Sequence, residues 1–545
     1  MILKTRRTNL RRLANEELDV LVIGGGITGS GILRDCAQRG LSCVLLEKGD
    51  FSSGTSSKSG KLIHGGLRYL KNLQLSLVWE SCTERRHLLD TLAPHIVKPV
   101  QFFIPFYRGS LVPRWMAAVG LLAYEILSGF KSPGPFKVLG PQKMLEIFPN
   151  LERIGLVGGV SYFDCSCNDA RLTLETLKAA VSHGAHTHSY CEVLNLERQD
   201  GVFTVKFKDC LDGDSQDLSL RAKTVVSAAG AWADQLQSMA KEELFNLKMT
   251  SGIHLILEKN RLNLPFTMSV ESGEDNRVIY LVPHEHYLLI GTTDRFVEPK
   301  PDEISISKRD VSYLLNLVNR YFPEAKLSAD DVQSAFVGVR PLVGSADGKS
   351  ESELPRDYEI RSNHNGYIAV TGGKLTTYRH MAQKVVDLLV HDFFPDFAFK
   401  PCSSISPISG GEMMSDKYGI QEEIKLSQEH LQIIQSRYGS NVSIVGAHIC
   451  AAEDGAERIS DDIPYLWGEI DYFVHMEQAL SLSDVLIRRS EIFFIQPLLP
   501  DSLLRKIALR MSKLLGTDEN WVDREIELYL REIQKTLGAI TVINA

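Results

Sequence analysis

The chain has 545 residues, 44% of them hydrophobic and 23% charged, with a formal net charge of −8. That length suits two or three domains around a large core, and the acidic balance speaks against nucleic acid as a partner. Nine scattered cysteines with no C-x-x-C pair read as reduced thiols in a cytosolic setting. The longest apolar stretch, residues 111–130, is broken by Pro113, Arg114 and Glu125, so it falls short of the ~18 apolar residues of a spanning helix.

The first dozen residues carry Lys4, Arg6, Arg7, Arg11 and Arg12 and no acid. With no apolar run behind them they do not read as a secretory signal. Residues 1–17 are read as a basic extension. It is either a solvated tail or a patch drawn to anionic lipid, at about 1 kcal/mol per basic residue near the surface.

Residues 18–29, LDVLVIGGGITG, are the stretch around which the chain is organised. Leu18, Val20, Leu21, Val22 and Ile23 form a short apolar run typical of a buried parallel strand. It runs into Gly24, Gly26 and Gly29 at G-x-G-x-x-G spacing, and a helix is expected over residues 30–39 with Gly40 ending it. Such glycines permit a tight turn, close approach to a pyrophosphate and close helix–strand packing. The free N–H groups of the helix start then face the phosphates. A second strand, residues 42–46, ends in Glu47, where a ribose hydroxyl needs a carboxylate. Together these predict dinucleotide binding.

The Ser/Thr/Gly stretch at 52–60 is read as a loop able to wrap a pyrophosphate, delivering Lys61, His64, Arg68 and Tyr69. A helix is expected over 73–92, with Arg85, Arg86 and His87 exposed or capping, and a strand over 97–107. Residues 111–130 read either as a core helix or as a monotopic membrane plug flanked by Trp115, Tyr124 and Phe130. Asp169 or Asn168 is the natural N-cap of a helix over 172–182. His183, His186 and His188 are read as a solvated link. Residues 193–208 alternate like a hairpin, and TVVSAAGAW at 224–232 is a second strand-to-small-residue turn beside the cofactor. Short alternating runs over 249–290 predict an antiparallel sheet carrying His254, followed by an amphipathic helix at 308–322. A strand at 332–343 carries Arg340, Arg356 follows in a link, and a strand at 366–370 opens on the glycine turn Gly372-Gly373-Lys374. After a Pro/Ser/Gly linker at 401–411 the chain reads as helical.

Four blocks carry a resemblance: GGGITGSG, SSKSGKLIHGGLRYL, GVRPL…RDY…GGKLTTYR, and EIDYFVHMEQALSLSDVLIRRS. With them the chain resembles the FAD-dependent, membrane-associated sn-glycerol-3-phosphate dehydrogenases over nearly its whole length. The implied fold is α/β: a Rossmann-type, D-amino-acid-oxidase-like FAD domain, an antiparallel-sheet substrate domain and an all-α C-terminal domain. On that reading the FAD domain takes residues 18–95, 155–240 and 335–400. The substrate domain takes 96–154 and 241–334, and the helical domain 412–545.

The resemblance implies oxidation of glycerol 3-phosphate at C2 to dihydroxyacetone phosphate, with electrons passed to a membrane quinone by an enzyme peripherally attached to the inner face of the cell membrane. A homodimer is left open. Substrate-contacting positions carry over to Arg68, Tyr69, Arg340, Arg356 and Lys374, with His64 in the same pocket. Guanidinium forks suit a phosphate dianion. A neutral imidazole suits the C2 hydroxyl proton, which makes His64 the expected base and His254 the alternative. Lys374 is expected to stabilise developing charge. The cofactor is expected on Gly24, Gly26, Ile27, Thr28 and Gly29, on Glu47 and Lys48, and on Thr55, Ser56, Ser57, Lys61 and Leu62. Ala229, Gly230 and Trp232, then Gly372, Gly373, Lys374, Leu375 and Thr376, complete that wall. The peroxide-forming relative carries an inserted segment not found here, which favours a dehydrogenase over an oxidase. No D-x-D-x-D-G loop appears, so calcium regulation is not expected. An amino-acid or amine oxidase of the same fold, and a non-catalytic FAD-binding protein, are the competing readings.

Overall fold

The computed structural model describes residues 2–67, 70, 74–110, 112–211, 217–273, 275, 277–298, 300–343, 358–400, 402–412 and 426–541. The strand Glu17–Ile23 is buried at every position but the first. It pairs in parallel with Leu218–Ser227 on one side and Cys43–Leu46 on the other. Tyr358–Ser362, Tyr367–Gly372 and His186–His188 extend this sheet at its two ends. Alternate side chains serve opposite faces. Val20 and Val22 pack beneath the helices Ile27–Arg39, Asp169–Ser182 and Tyr378–Phe393. Leu21 and Ile23 pack beneath the hairpin Cys191–Gln199/Val202–Asp209.

The second sheet runs Arg295–Val297, Leu247–Glu258, Tyr287–Gly291, Val278–Pro283, Thr267–Glu271, Lys98–Tyr107, Leu156–Ser166 and Leu62–Ile63. Val332–Val343 lies along Leu247–Glu258 in antiparallel register. Ile253, Leu255 and Leu257 pack toward the amphipathic helix Lys308–Tyr321, while Ile256 and Phe336 join the core of the helical C-terminal part. Leu62–Ile63, Leu156–Ser166 and Val332–Val343 all belong to the second sheet, because each finds its ladder partner there. The helical part also contains a small hairpin, Arg458–Ser460 with Ile463–Leu466.

The basic N-terminal segment is not a solvated tail. It forms the helix Ile2–Leu13, whose Leu10 and Leu13 are buried. Arg6 is buried as well, paired with Asp209 and donating to the Ser189 carbonyl at 2.6 Å. Of the 183–188 histidine stretch, only the His183–Gly184 turn is an exposed link. His186–His188 is a strand, and His188 is 5% exposed.

Buried charge pairs join the helical part to the parallel-sheet part. Asp50 binds Arg488 and Arg489, with all three side chains at most 7% exposed. Arg171 pairs with Glu477 nearby. Removing one member of such a set leaves an uncompensated buried charge, at a cost of about 3–5 kcal/mol. Asp50→Ala is therefore expected to lower the melting temperature strongly, read by calorimetry, while Lys143→Ala at an exposed pair stays near the parent.

Three buried histidines give a pH prediction. Burial pushes His95, His188 and His254 down to about 3, so each stays neutral in the folded chain. The unfolded chain takes up a proton near pH 6.5 that the folded chain refuses. Stability is then full above pH 7 and falls as pH drops below about 6.5, by about 2 kcal/mol per histidine at pH 5. Denaturant midpoints at pH 7.5 and pH 5 should show this decline.

Candidate active site

Between the two sheets and the helical part lies a cavity of about 1780 Å³. Its first end is the strand–glycine–helix turn. A Cβ placed on Gly29 would stand 2.0 Å from the Gly24 carbonyl oxygen, and one on Gly24, whose φ is +112°, would stand 2.6 Å from the Ala228 carbonyl oxygen. Only backbone fits there, which leaves the first turn of the helix open to a ligand. Ser56 Oγ accepts from the Ile27 N–H at 2.9 Å and holds the loop against the helix start. Glu47 closes this end, its carboxylate accepting from Gly25 N at 2.6 Å and from Gly49 N at 2.8 Å. Burial raises its pKa. At the rim, Lys48 lies 4.2 Å from the Trp232 ring centroid, and both side chains bond Asp302 at 3.0 Å. Backbone donors at a helix start, a carboxylate at the second strand end and a glycine cradle are the donor set an extended dinucleotide requires, so the residues present fit FAD.

Most residues expected at the cofactor line this cavity: Gly24, Gly26, Ile27, Thr28, Glu47, Lys48, Thr55, Ser56, Ser57 and Leu62, then Ala229, Gly230 and Trp232, then Gly372 to Thr376. Two do not. Gly29 packs beneath the turn, and Lys61 is turned away, 1% exposed and bound to Asp169 at 2.6 Å. Asp169 also accepts from Ser59, while Asn168 caps the helix by accepting from Arg171 N at 3.0 Å. Lys61 is therefore a structural cation, whose partner lies 108 residues away in sequence.

His64, His254, Arg340 and Lys374, drawn from four separate stretches, also line the wall. Arg340 is held by Asp294 at 3.0 Å and by Thr292 Oγ1 at 3.0 Å. His254 stacks on Phe336 at 4.9 Å between centroids. Burial first, then the cations Arg340 and Lys61, press its pKa down to about 3. A group so reluctant to take a proton is a poor general base, which weakens the alternative reading of His254. Arg68, Tyr69 and Arg356 lie outside the described residues.

Sequence reasoning missed several contributors. Arg277 lines the wall, and so do Arg488, Arg531 and Lys535 from the helical part. Arg85, expected to be exposed or capping, is 1% exposed behind the site, bound to Asp164. It shares the inner stripe of the helix Leu75–His87 with Val78 and Cys82, a spacing that identifies it. The glycine turn also carries an expectation. Gly29→Ala should release FAD from an otherwise folded protein, read as loss of the flavin absorbance after gel filtration.

Comparisons with known proteins agree with this geometry. Residues 19–383 match the family described as FAD dependent oxidoreductase, and residues 402–522 match the C-terminal domain of alpha-glycerophosphate oxidase. The aerobic glycerol-3-phosphate dehydrogenase of Staphylococcus haemolyticus is 32% identical, with 98% of each chain covered. That of Staphylococcus aureus is 31% identical, covering 97% of this chain and 95% of the relative. Among solved structures, the glycerol-3-phosphate dehydrogenase of Bacillus halodurans complexed with FAD has a TM-score of 0.78 at 28% identity, with 98% of both chains covered. The L-alpha-glycerophosphate oxidase of Mycoplasma pneumoniae with FAD bound shares the fold at a TM-score of 0.56 and 19% identity, over 72% of this chain and 99% of that one.

Proposed function

The chain belongs to the family of FAD dependent oxidoreductases that includes the aerobic glycerol-3-phosphate dehydrogenases, and from that premise we propose that it oxidises sn-glycerol 3-phosphate at C2 to dihydroxyacetone phosphate and delivers the electrons to a membrane quinone. The observation that carries this reading is that His64, Arg340 and Lys374 line the same cavity as the Gly372–Gly373 turn, with Thr376, two residues past Lys374, donating to the His64 carbonyl at 3.3 Å. FAD, when bound, supplies the hydride acceptor. His64 takes the proton of the C2 hydroxyl. Arg340, oriented by Asp294 and Thr292, binds the phosphate, and Lys374 stabilises negative charge on the substrate oxygen. His254 stays neutral and shapes the wall.

Membrane delivery rests on the helix Arg114–Leu127. Its outer stripe of Trp115, Met116, Val119, Leu122 and Ile126, with Phe130 just beyond, is exposed, at 66% for Trp115 and 73% for Phe130. Trp79 and Leu75 of the neighbouring helix Leu75–His87 are exposed too. Exposed aromatics at helical spacing, with Lys131 and Lys137 exposed nearby, suit an interfacial helix lying in a lipid surface. Among the described residues no helix is long and apolar enough to cross a membrane.

Anaerobic titration of the FAD-loaded protein with glycerol 3-phosphate tests the chemistry. Prompt bleaching, reversed by a quinone analogue and only slowly by oxygen, is the expected result. Fast reoxidation by oxygen would make it an oxidase, and no bleaching would overturn the substrate. Arg340→Ala should raise the substrate KM at least tenfold with FAD still bound. Val119→Glu with Ile126→Glu should abolish co-sedimentation with anionic vesicles while anaerobic bleaching in solution is kept.

A further inference from the structure

We propose that Asp164 is a positioning residue for the reaction: it fixes the His64–Gly65 backbone, and with it the His64 imidazole, through a buried network shared with Arg85 and Tyr124. The proposal rests on the reading of His64 as the proton acceptor.

Three elements converge on one carboxylate oxygen. Asp164 belongs to the strand Leu156–Ser166, Arg85 to the helix Leu75–His87 and Tyr124 to the helix Arg114–Leu127. All three side chains are buried, at 1–2% exposure. Asp164 Oδ1 accepts from the Gly65 N–H at 2.9 Å, from the Tyr124 hydroxyl at 3.1 Å and from the Arg85 guanidinium. Arg85 also donates to the Tyr124 oxygen at 2.8 Å. From the other side, Thr376 Oγ1 donates to the His64 carbonyl at 3.3 Å. The peptide between His64 and Gly65 has no slack left. A Cβ on Gly65 would lie 2.0 Å from the Tyr124 hydroxyl and 2.7 Å from Cys82 Sγ.

A buried ion pair contributes little net stability against an apolar replacement. What this one supplies is direction. The guanidinium and the phenol hold the carboxylate, the carboxylate holds the Gly65 amide, and the imidazole of the preceding residue inherits that placement in the cavity wall. A displacement of about 1 Å at a reacting group costs on the order of a hundredfold in rate.

The test is anaerobic stopped-flow reduction of the FAD-loaded protein by glycerol 3-phosphate, from pH 5.5 to 9, with rates expressed per bound flavin. Asp164→Ala should reduce the limiting rate at least tenfold and displace the pH profile. Asp164→Asn, which keeps an oxygen for Gly65, should recover part of that loss, and Tyr124→Phe should lose severalfold. Hydrogen exchange of the peptide covering residues 62–67 should quicken in the same order. If Asp164→Ala does not fold, the Asn and Phe variants decide. Rates per flavin and pH profiles that superimpose on the parent in both would overturn the proposal. Failure of the parent itself to be reduced would instead overturn the substrate reading.

Discussion

A cavity of about 1780 Å³ runs against the close packing of a protein interior, so its walls must be held apart. Directional charge pairs at its margins answer that constraint here. Lys61–Asp169 sits behind the loop after Glu47, Arg85–Asp164 behind His64, Arg379–Glu84 behind the glycine turn, and Asp50–Arg489 where the helical part meets the first sheet. Each pair is almost fully buried, and each joins segments remote in sequence. Pairs of this kind contribute modestly to net stability and strongly to which arrangement is allowed. The walls are thereby tied together at several points, which is what a site depending on orientation needs.

The cofactor end was legible in the sequence because its determinants are local. Gly24, Gly26 and Gly29 follow one apolar strand, and Glu47 ends the next, all within some thirty residues. The strands around His254 were legible for the same reason, since alternation declares itself over five or six residues. What escaped the sequence is what depends on a distant partner. Lys61 looks like a cofactor cation until Asp169 is brought beside it. Arg85 looks like one of three basic residues at a helix end until its stripe meets the Asp164 strand. That strand, Leu156–Ser166, was itself hidden. Gly158, Gly159 and Ser161 weaken its apolar signal, and the partner that makes it a strand, Lys98–Tyr107, lies far upstream.

Electrostatics bears on one of the two histidines that sequence alone leaves as competitors. His254 occupies a dry position against Phe336, with Arg340 and Lys61 nearby, and every one of those features disfavours the imidazolium. A residue in that state serves as a neutral wall. On the proposed reading the proton acceptor is then His64, whose backbone is held at its carbonyl by Thr376 and at the next amide by Asp164. Both histidines line the same cavity, one held at its backbone and the other kept neutral by burial.

The helix Arg114–Leu127 brings the surface and the chemistry together. Its outer stripe leaves Trp115, Val119 and Ile126 exposed, while its inner face buries Leu121 and sends the Tyr124 hydroxyl into the Asp164 network. An element with only an apolar outer stripe would need no buried phenol, and one serving only as core would cover that stripe. Tyr124 is the point at which this helix acquires a register. Its hydroxyl must meet Arg85 and Asp164 together, so the helix cannot slide or rotate without disturbing the Gly65 amide. On the proposed reading, one side chain thus links the exposed apolar face of this helix to the backbone that carries His64.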